Sequence, residues 1–374
     1  MEYVGSSIEE KLTLSDQVDH LLMNNEKLLK WTSLVIITIL VLVIEVTVAG
    51  IFDDPKSHLE REDIFFVWQE GEKISNGANP YAAILDGNLI ENEKYATYLP
   101  FFYLLASLFQ ILGFTSFKEW VIFFRILSAI FYLAIAYFLF LKSYKKSVIF
   151  SIFVTMYWIF NRWSIVVVYV VNIDFIPLFL MIISLYYYDT HRNMSLITYA
   201  FSLSMKHLAI FLLPIYLILL LRDSEITSIK DYGFSILKIV GIPLIFAIPF
   251  IILDPKAFLY SMAFSGTRHP KGLFDEFYES APEGTFIAFG IANRIFMVLI
   301  MALVYLLFQS NKIERFTTSF LIFVIFIEFN LVLFDQYRVW RIALLPLMLL
   351  EFNIFTIKKD KENIDVKENP SNPI

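Results

Sequence analysis

Apolar residues along this chain gather in long blocks that short charged stretches separate. The block lengths are those of membrane-crossing helices. Runs at about 32–51, 119–141, 172–188, 233–253, 285–308, 316–334 and 338–357 approach or exceed the roughly 20 residues that span a bilayer as a helix. A shorter block lies at 147–160, and 97–113 is apolar but short. Residues 194–221 form one 28-residue block, interrupted near Met205, Lys206 and His207. At ~1.5 Å per residue it is about 42 Å long, too long for one upright span and short for two full ones. It predicts a hairpin of two short helices that break at those three residues.

Two other stretches are amphipathic. In “IEEKLTLSDQVDHLLMNNEKLLKW” the residues Leu14, Val18, Leu21, Leu22, Leu28 and Leu29 recur roughly at helical spacing, which predicts a membrane-surface helix. In “EREDIFFVWQEGEKISNG” the residues Ile64, Val67, Trp68, Gly71 and Ile74 recur in the same way. Glu62, Gln69, Glu70 and Lys73 stand around the other side, so the pattern predicts a helix lying on the membrane surface. Asn76-Gly77 is expected to end it, because Gly tolerates the left-handed cap conformation. A polar stretch and the sequence “YATYLPFFYLL” follow. The aromatics Tyr95, Tyr98, Phe101, Phe102 and Tyr103 suit the headgroup level, and Pro100 suits a first helical turn. A partial span of this kind survives only where protein buries it or a cavity opens beside it.

Charge placement orients the blocks. If 97–113 dips into the membrane without crossing, “KSYKK” at 142–146, Arg192, “RDSEITSIK”, “NKIER” and the tail “KKDKENIDVK” all fall on the cytoplasmic side. The expectation is an all-α polytopic membrane protein of about ten transmembrane helices with both ends inside. Residues 1–31 are then a cytoplasmic amphipathic segment and 32–357 the membrane domain. Residues 52–118 are an external loop with juxtamembrane helices, 254–284 a second external loop, and 358–374 a charged tail expected to be disordered. The first block follows 30 polar residues with no small-residue cleavage site after it, so it reads as a retained span.

Composition narrows the picture. The chain has 374 residues, 58% of them hydrophobic, including 39 Phe and 20 Tyr. There is no Cys, which excludes disulfides and thiolate metal sites. The net charge of −6 says less than its placement. There is no Gly-rich phosphate loop, so a cytoplasmic nucleotide donor has no support. No basic-aromatic pattern points to nucleic acid. His20, His58 and His191 show no metal-ligand spacing.

The candidate chemistry sits at the outer ends of the blocks. Asp63 lies near the start of the external helix, where a negative charge is mildly favourable by itself. Lys206 and His207 lie at the break in 194–221. A Lys there faces a cavity or a partner, or snorkels to the interface. Arg338 and Arg341 open the last block at i, i+3. They fit a phosphate through the guanidinium fork, or serve as anchors or as a partner for Asp335. Arg268, His269 and Lys271 in “SGTRHPKG” are a basic cluster facing lipid phosphate or solvent. Asn172 and Asp174 in “VVNIDF” bind hydroxyls or cap a helix. Arg125, Glu45 and Glu328 are ionisable groups inside apolar blocks.

The ordered set carries a resemblance: an acid in an external helix, “GANPY”, “YATYLPFFY”, “NIDFIPLFLMIISLYYYDTHRN”, “LSMKHLAIFLLPIYLILLLRD” and “FDQYRVWRIALLPLMLL”. It resembles the GT-C membrane glycosyltransferases that use polyprenyl-phosphate sugars. The nearest branch is the mannosyltransferases, including the catalytic subunit of GPI mannosyltransferase I and bacterial relatives. The likeness covers roughly residues 35–357. It implies an inverting enzyme that moves a sugar, with mannose favoured, from a polyprenyl monophosphate to a lipid-linked glycan, glycolipid or protein on the outer face. It implies Asp63 as the base and a polar pair at Asn172 and Asp174; Lys206, His207, Arg268, Arg338 and Arg341 are the candidate phosphate ligands by charge and place, and Tyr81 and Tyr98 are candidate substrate contacts. Eukaryotic members carry Asp-x-Asp where this chain reads Arg61-Glu62-Asp63, so the first acid is absent and a divalent cation is not supported. No other cofactor is implied. The alternatives are a secondary transporter or lipid flippase, disfavoured by the lack of a repeat between the halves, and a non-catalytic scaffold subunit of the same fold.

Overall fold

The structure is a computed structural model that describes residues 26–50, 59–87, 95–267, 285–330 and 334–352. The described residues are helical, with no strand. Helices run in the order α1 (Glu26–Gly50), α2 (Asp63–Ser75), α3 (Phe101–Ile111), α4 (Phe117–Tyr144), α5 (Val148–Phe160), α6 (Arg162–Tyr169) and α7 (Phe175–Tyr187). They continue through α8 (Arg192–Met205), α9 (Leu213–Arg222), α10 (Ile229–Leu253), α11 (Pro255–Thr267), α12 (Thr285–Gln309), α13 (Arg315–Phe329) and α14 (Arg338–Glu351). Short 3₁₀ turns occupy Ala82–Leu85, His207–Leu212 and Asp335–Tyr337. The basic cluster Arg268, His269 and Lys271, the first 25 residues and the tail from 353 lie outside the described residues.

Among the described residues, four helices are long and apolar enough to cross a membrane: α1, α4, α10 and α12. A fifth crossing follows if α5 and α6, bent by 43° at Asn161, form one span. The Asn161 side chain accepts from the Trp163 amide at 3.0 Å and caps the new helix, which is the physical cause of the break. α3, α7 and 207–222 are apolar but shorter. The outward faces of α1, α10 and α12 carry exposed Val46, Ile245, Ile252, Phe296 and Leu299. Such an apolar exterior is stable in lipid.

The 194–221 block breaks at Lys206. Lys206 is extended (φ −145°, ψ 118°) between the end of α8 and the 3₁₀ turn, and Pro214 starts α9. The end of α2 is a Schellman cap. The Gly77 amide donates to the Ile74 carbonyl at 2.9 Å and the Ala78 amide to the Lys73 carbonyl at 2.8 Å, with Gly77 at φ +77°. The end of α6 uses the same pair of bonds, Val171 to Val168 at 3.3 Å and Asn172 to Val167 at 3.1 Å. There the left-handed residue is Val171 (φ +49°), a β-branched side chain in a region that disfavours it. This strained corner sets the direction of Asn172.

Two sequence expectations change. The side of α2 that carries Glu70 is not solvated, although Glu72 remains exposed. It packs along α3, with Gly71 so close to Ala106 that a Cβ would come within 2.6 Å of the Ala106 Cβ. Glu70, expected on the polar side, is therefore buried with Ile64, Val67 and Trp68. The Trp120 indole of α4 donates to the Ile64 carbonyl at 3.3 Å and locks the same helix. The second change is at 254–284, where the first half is helical and not loop. Asp254 accepts from the Ala257 amide at 2.9 Å and Pro255 begins α11. An Asp-Pro pair is an N-cap followed by a favourable first position. Phe258 and Phe264 of α11 pack edge-on against Tyr81 and Tyr95, at 5.0 Å in both cases.

Candidate active site

Four segments remote in sequence meet at Asp63, the first residue of α2. Its Oδ2 accepts from the Tyr98 hydroxyl at 2.8 Å, from the Gln336 amide at 3.4 Å and from the Asn172 amide at 3.5 Å. Tyr98 is itself held from both sides. The Tyr81 hydroxyl donates to the Tyr98 carbonyl at 2.9 Å, and the Tyr98 amide donates to the Tyr103 hydroxyl at 3.0 Å. Tyr81, expected to touch substrate, is a fully buried strut behind Tyr98. Burial pushes the Tyr98 phenol well above its usual range, and the charge of Asp63 adds to this. The hydroxyl therefore remains a hydrogen-bond donor to the carboxylate at any physiological pH.

Asp63 lines a cavity of about 250 Å³. Its lining combines the polar residues Asp63, Glu70, Tyr98, His207, Arg294 and Asn330 with the apolar Phe211, Met297, Phe326 and Phe334. The wall is fixed by backbone anchors. The Tyr305 hydroxyl of α12 donates to the Phe211 carbonyl, and the Asn293 side chain to the Phe329 carbonyl. These bonds set α12 so that Arg294 and Met297, at i, i+3, both reach the cavity. His207 sits with its ring 5.9 Å from that of Tyr98.

The other expected cations have partners. Lys206 is fully buried and pairs with Asp174, also fully buried, at 2.6 Å. The Trp340 indole donates to the other Asp174 oxygen at 2.6 Å. The ammonium also lies 5.0 Å from the Tyr337 ring and 6.0 Å from that of Tyr98, both of which line the cavity. Lys206 and Asp174 thus support the cavity wall from behind and do not line it. Asp174 precedes α7, but its side chain makes no cap bond. Arg341 pairs with Glu328 at 3.0 Å. Arg338 faces Asp335 at 3.6 Å and stacks on Trp163 at 4.5 Å. Neither arginine lines the cavity.

Sequence reasoning missed Arg294, Glu70 and Gln336. Arg294 is the easiest to justify afterwards, because a lone Arg ten residues into an apolar block is a site candidate by default. Glu70 stands seven residues after Asp63, hence on the same face of one helix two turns on. Gln336 lies in “FDQYRVWR”, just before Arg338 and Arg341, the two residues that drew attention there. Arg294 has no acidic partner within 4 Å among the described residues, unlike Arg338 and Arg341. Among the described residues no group of three or more His, Asp or Glu side chains gathers there either.

No protein-family model matches the chain, and no curated protein matches it. The site must therefore be read from its own chemistry. It offers a tethered carboxylate, a guanidinium without a carboxylate partner among the described residues, and apolar side chains in one space.

Proposed function

We propose that the chain is an inverting membrane glycosyltransferase of the GT-C kind. The donor is a polyprenyl monophosphate sugar, with mannose favoured by the resemblance, and the acceptor is a lipid-linked glycan, glycolipid or protein hydroxyl. The single observation that carries this reading is that Asp63 and Arg294 line one cavity with apolar side chains. An amphiphile with an anionic head fits such a space. In the reaction, the acceptor hydroxyl gives its proton to the Asp63 carboxylate as its oxygen bonds to the anomeric carbon. The bond from that carbon to the phosphate oxygen breaks, and the phosphate leaves with the electron pair. Direct attack inverts the anomeric centre. Arg294, with His207 lining the same cavity, stabilises the charge that grows on the phosphate. The Tyr98 hydroxyl and the amides of Asn172 and Gln336 hold the carboxylate in line.

The same reading has ten crossings, with α5, α7, α8, α9, α13 and α14 joining the four long helices while α3 dips in without crossing, and it has Asp63 on the extracytoplasmic side. The test is sugar transfer by purified protein from radiolabelled polyprenyl-phosphate mannose and glucose to lipid extracts, with Asp63→Asn in parallel. Loss of a general base lowers the rate by about 10²–10⁴-fold. Equal transfer by both proteins removes Asp63 from the mechanism, and no transfer by wild type removes the reaction. For sidedness, Asp86→Cys in this Cys-free chain should react with an impermeant thiol reagent from outside.

A further inference from the structure

The outward face of α5 leads to a pair of arginines. Ile149, Phe153 and Phe160 fall at i, i+4 and i+11, on one side of the helix, and all three are exposed. Just beyond Phe160, past the Asn161 break, Arg162 is exposed too. Its guanidinium lies 4.2 Å from the centre of the Trp163 ring, and that of Arg338 lies 4.5 Å from the same ring. One indole thus holds two cations together. The Arg338 Nε faces Asp335 at 3.6 Å, beyond hydrogen-bond reach, and Asp335 is 60% exposed. The terminal nitrogens of Arg338 are not buried and have no hydrogen-bond partner among the described residues. Arg162 has no acidic partner within 4 Å among the described residues either. Two guanidiniums therefore share one exposed carboxylate, and one positive charge is left over. Arg341, one turn on, is closed by Glu328. A guanidinium beside exposed apolar surface is costly in lipid unless it reaches water or an anion answers it.

We propose that Arg162 and Arg338, held on Trp163, bind the phosphate of an anionic phospholipid whose acyl chains lie along Phe153 and Phe160. The single negative charge of a phosphodiester balances the one in excess, and the guanidinium forks donate to its oxygens. Neither arginine lines the Asp63 cavity, so the site is separate from it and does not depend on the transfer reading. The lipid ties α6 to α14. Asn172 follows α6 and Gln336 precedes α14, and both amides donate to Asp63, so the bound lipid steadies that carboxylate from two sides.

The full chain in an uncharged detergent is titrated with phosphatidylglycerol, and bound lipid is counted by native mass spectrometry. Wild type should take up one molecule ahead of all others, and its unfolding midpoint should rise with it. Arg162→Gln and Arg338→Gln should each weaken that first binding by about tenfold, the effect of one charge-assisted hydrogen bond. Arg162 is exposed, so its variant serves if Arg338→Gln does not fold. Arg162→Lys, which keeps the charge and loses the fork, should recover only part of the affinity. Lys256→Gln removes another exposed cation, one that lies 5.5 Å from the Tyr260 ring, and should change the binding by less than about twofold. Phosphatidylcholine, whose choline cancels the charge, should bind about tenfold more weakly or less. Equal binding of the two lipids, or equal binding by wild type and both Gln variants, overturns the proposal. Full recovery in Arg162→Lys reduces the arginines to interfacial anchors and also overturns it. Inorganic phosphate displacing the lipid at matching concentration would make the occupant a free anion and not a lipid.

Discussion

Two clusters of charge lie within a few side chains of each other and differ in one respect. Around Lys206 and Asp174 every charge is buried and answered: ammonium on carboxylate, indole on the remaining oxygen. Around Asp63, Glu70 and Arg294 the groups face a cavity, and Arg294 has no carboxylate partner among the described residues. A closed pair gains nothing from a ligand, whereas an open set does. The same ionisable residue types therefore build a wall in one place and a site in the other, and Tyr98 and Tyr337 join the two.

The largest effect should come from opening the closed pair. Lys206→Met leaves Asp174 buried without a counter-charge and should cost about 3–5 kcal/mol, read as a lowered unfolding midpoint in nanodiscs. Adding Asp174→Leu should restore most of that stability, since a buried pair is often replaceable by apolar volume. Full stability in the single mutant would mean that the two charges do not meet. Arg294→Gln should next weaken polyprenyl-phosphate binding by about 10–100-fold, as expected for a charge-assisted contact. Arg341→Gln, already paired with Glu328, should leave it within about twofold. If both variants behave alike, the contrast between paired and unpaired arginines is lost.

A smaller effect tests the frame that carries Asp63 and Glu70. Gly71→Ala puts a methyl into the contact with Ala106, so α2 and α3 must separate, at about 1–3 kcal/mol. An unchanged midpoint would show that the helices are not that close. The smallest effect is a pH dependence. Burial holds the Glu70 carboxyl above 4.5, so the unfolded chain releases that proton at lower pH than the folded one. Stability from this group is full below pH 4.5 and falls as pH rises through the folded value. The midpoint of Glu70→Gln relative to wild type should accordingly rise across that window. A constant difference would show that Glu70 is ordinary.

Much of the frame was legible in the chain. The Lys206 break and the Gly77 cap lie where local signals put them, because Gly conformation and the limits of helix length act over a few residues. Asn161 and Asp254-Pro255 carried equally local cap signals that the long apolar blocks on either side obscured. The site was less legible. Asp63 stood out by its place in a helix expected to be external, but Lys206 and Arg341 looked like phosphate ligands while Arg294 went unnoticed. Which of them meets a carboxylate depends on contacts 32, 13 or more residues away. Glu70 looked solvated because periodicity describes one helix face, and α3 covers the other.

By itself the sequence determined a helical chain with blocks long and apolar enough to cross a membrane, some of the positions where its helices stop, and the inventory of charges available to it. These follow from block length, cap chemistry and the cost of apolar surface in water, all of which act locally. Only the tertiary structure decided which charges cancel and which face the cavity. That outcome depends on distances between segments up to 273 residues apart, which no local pattern encodes.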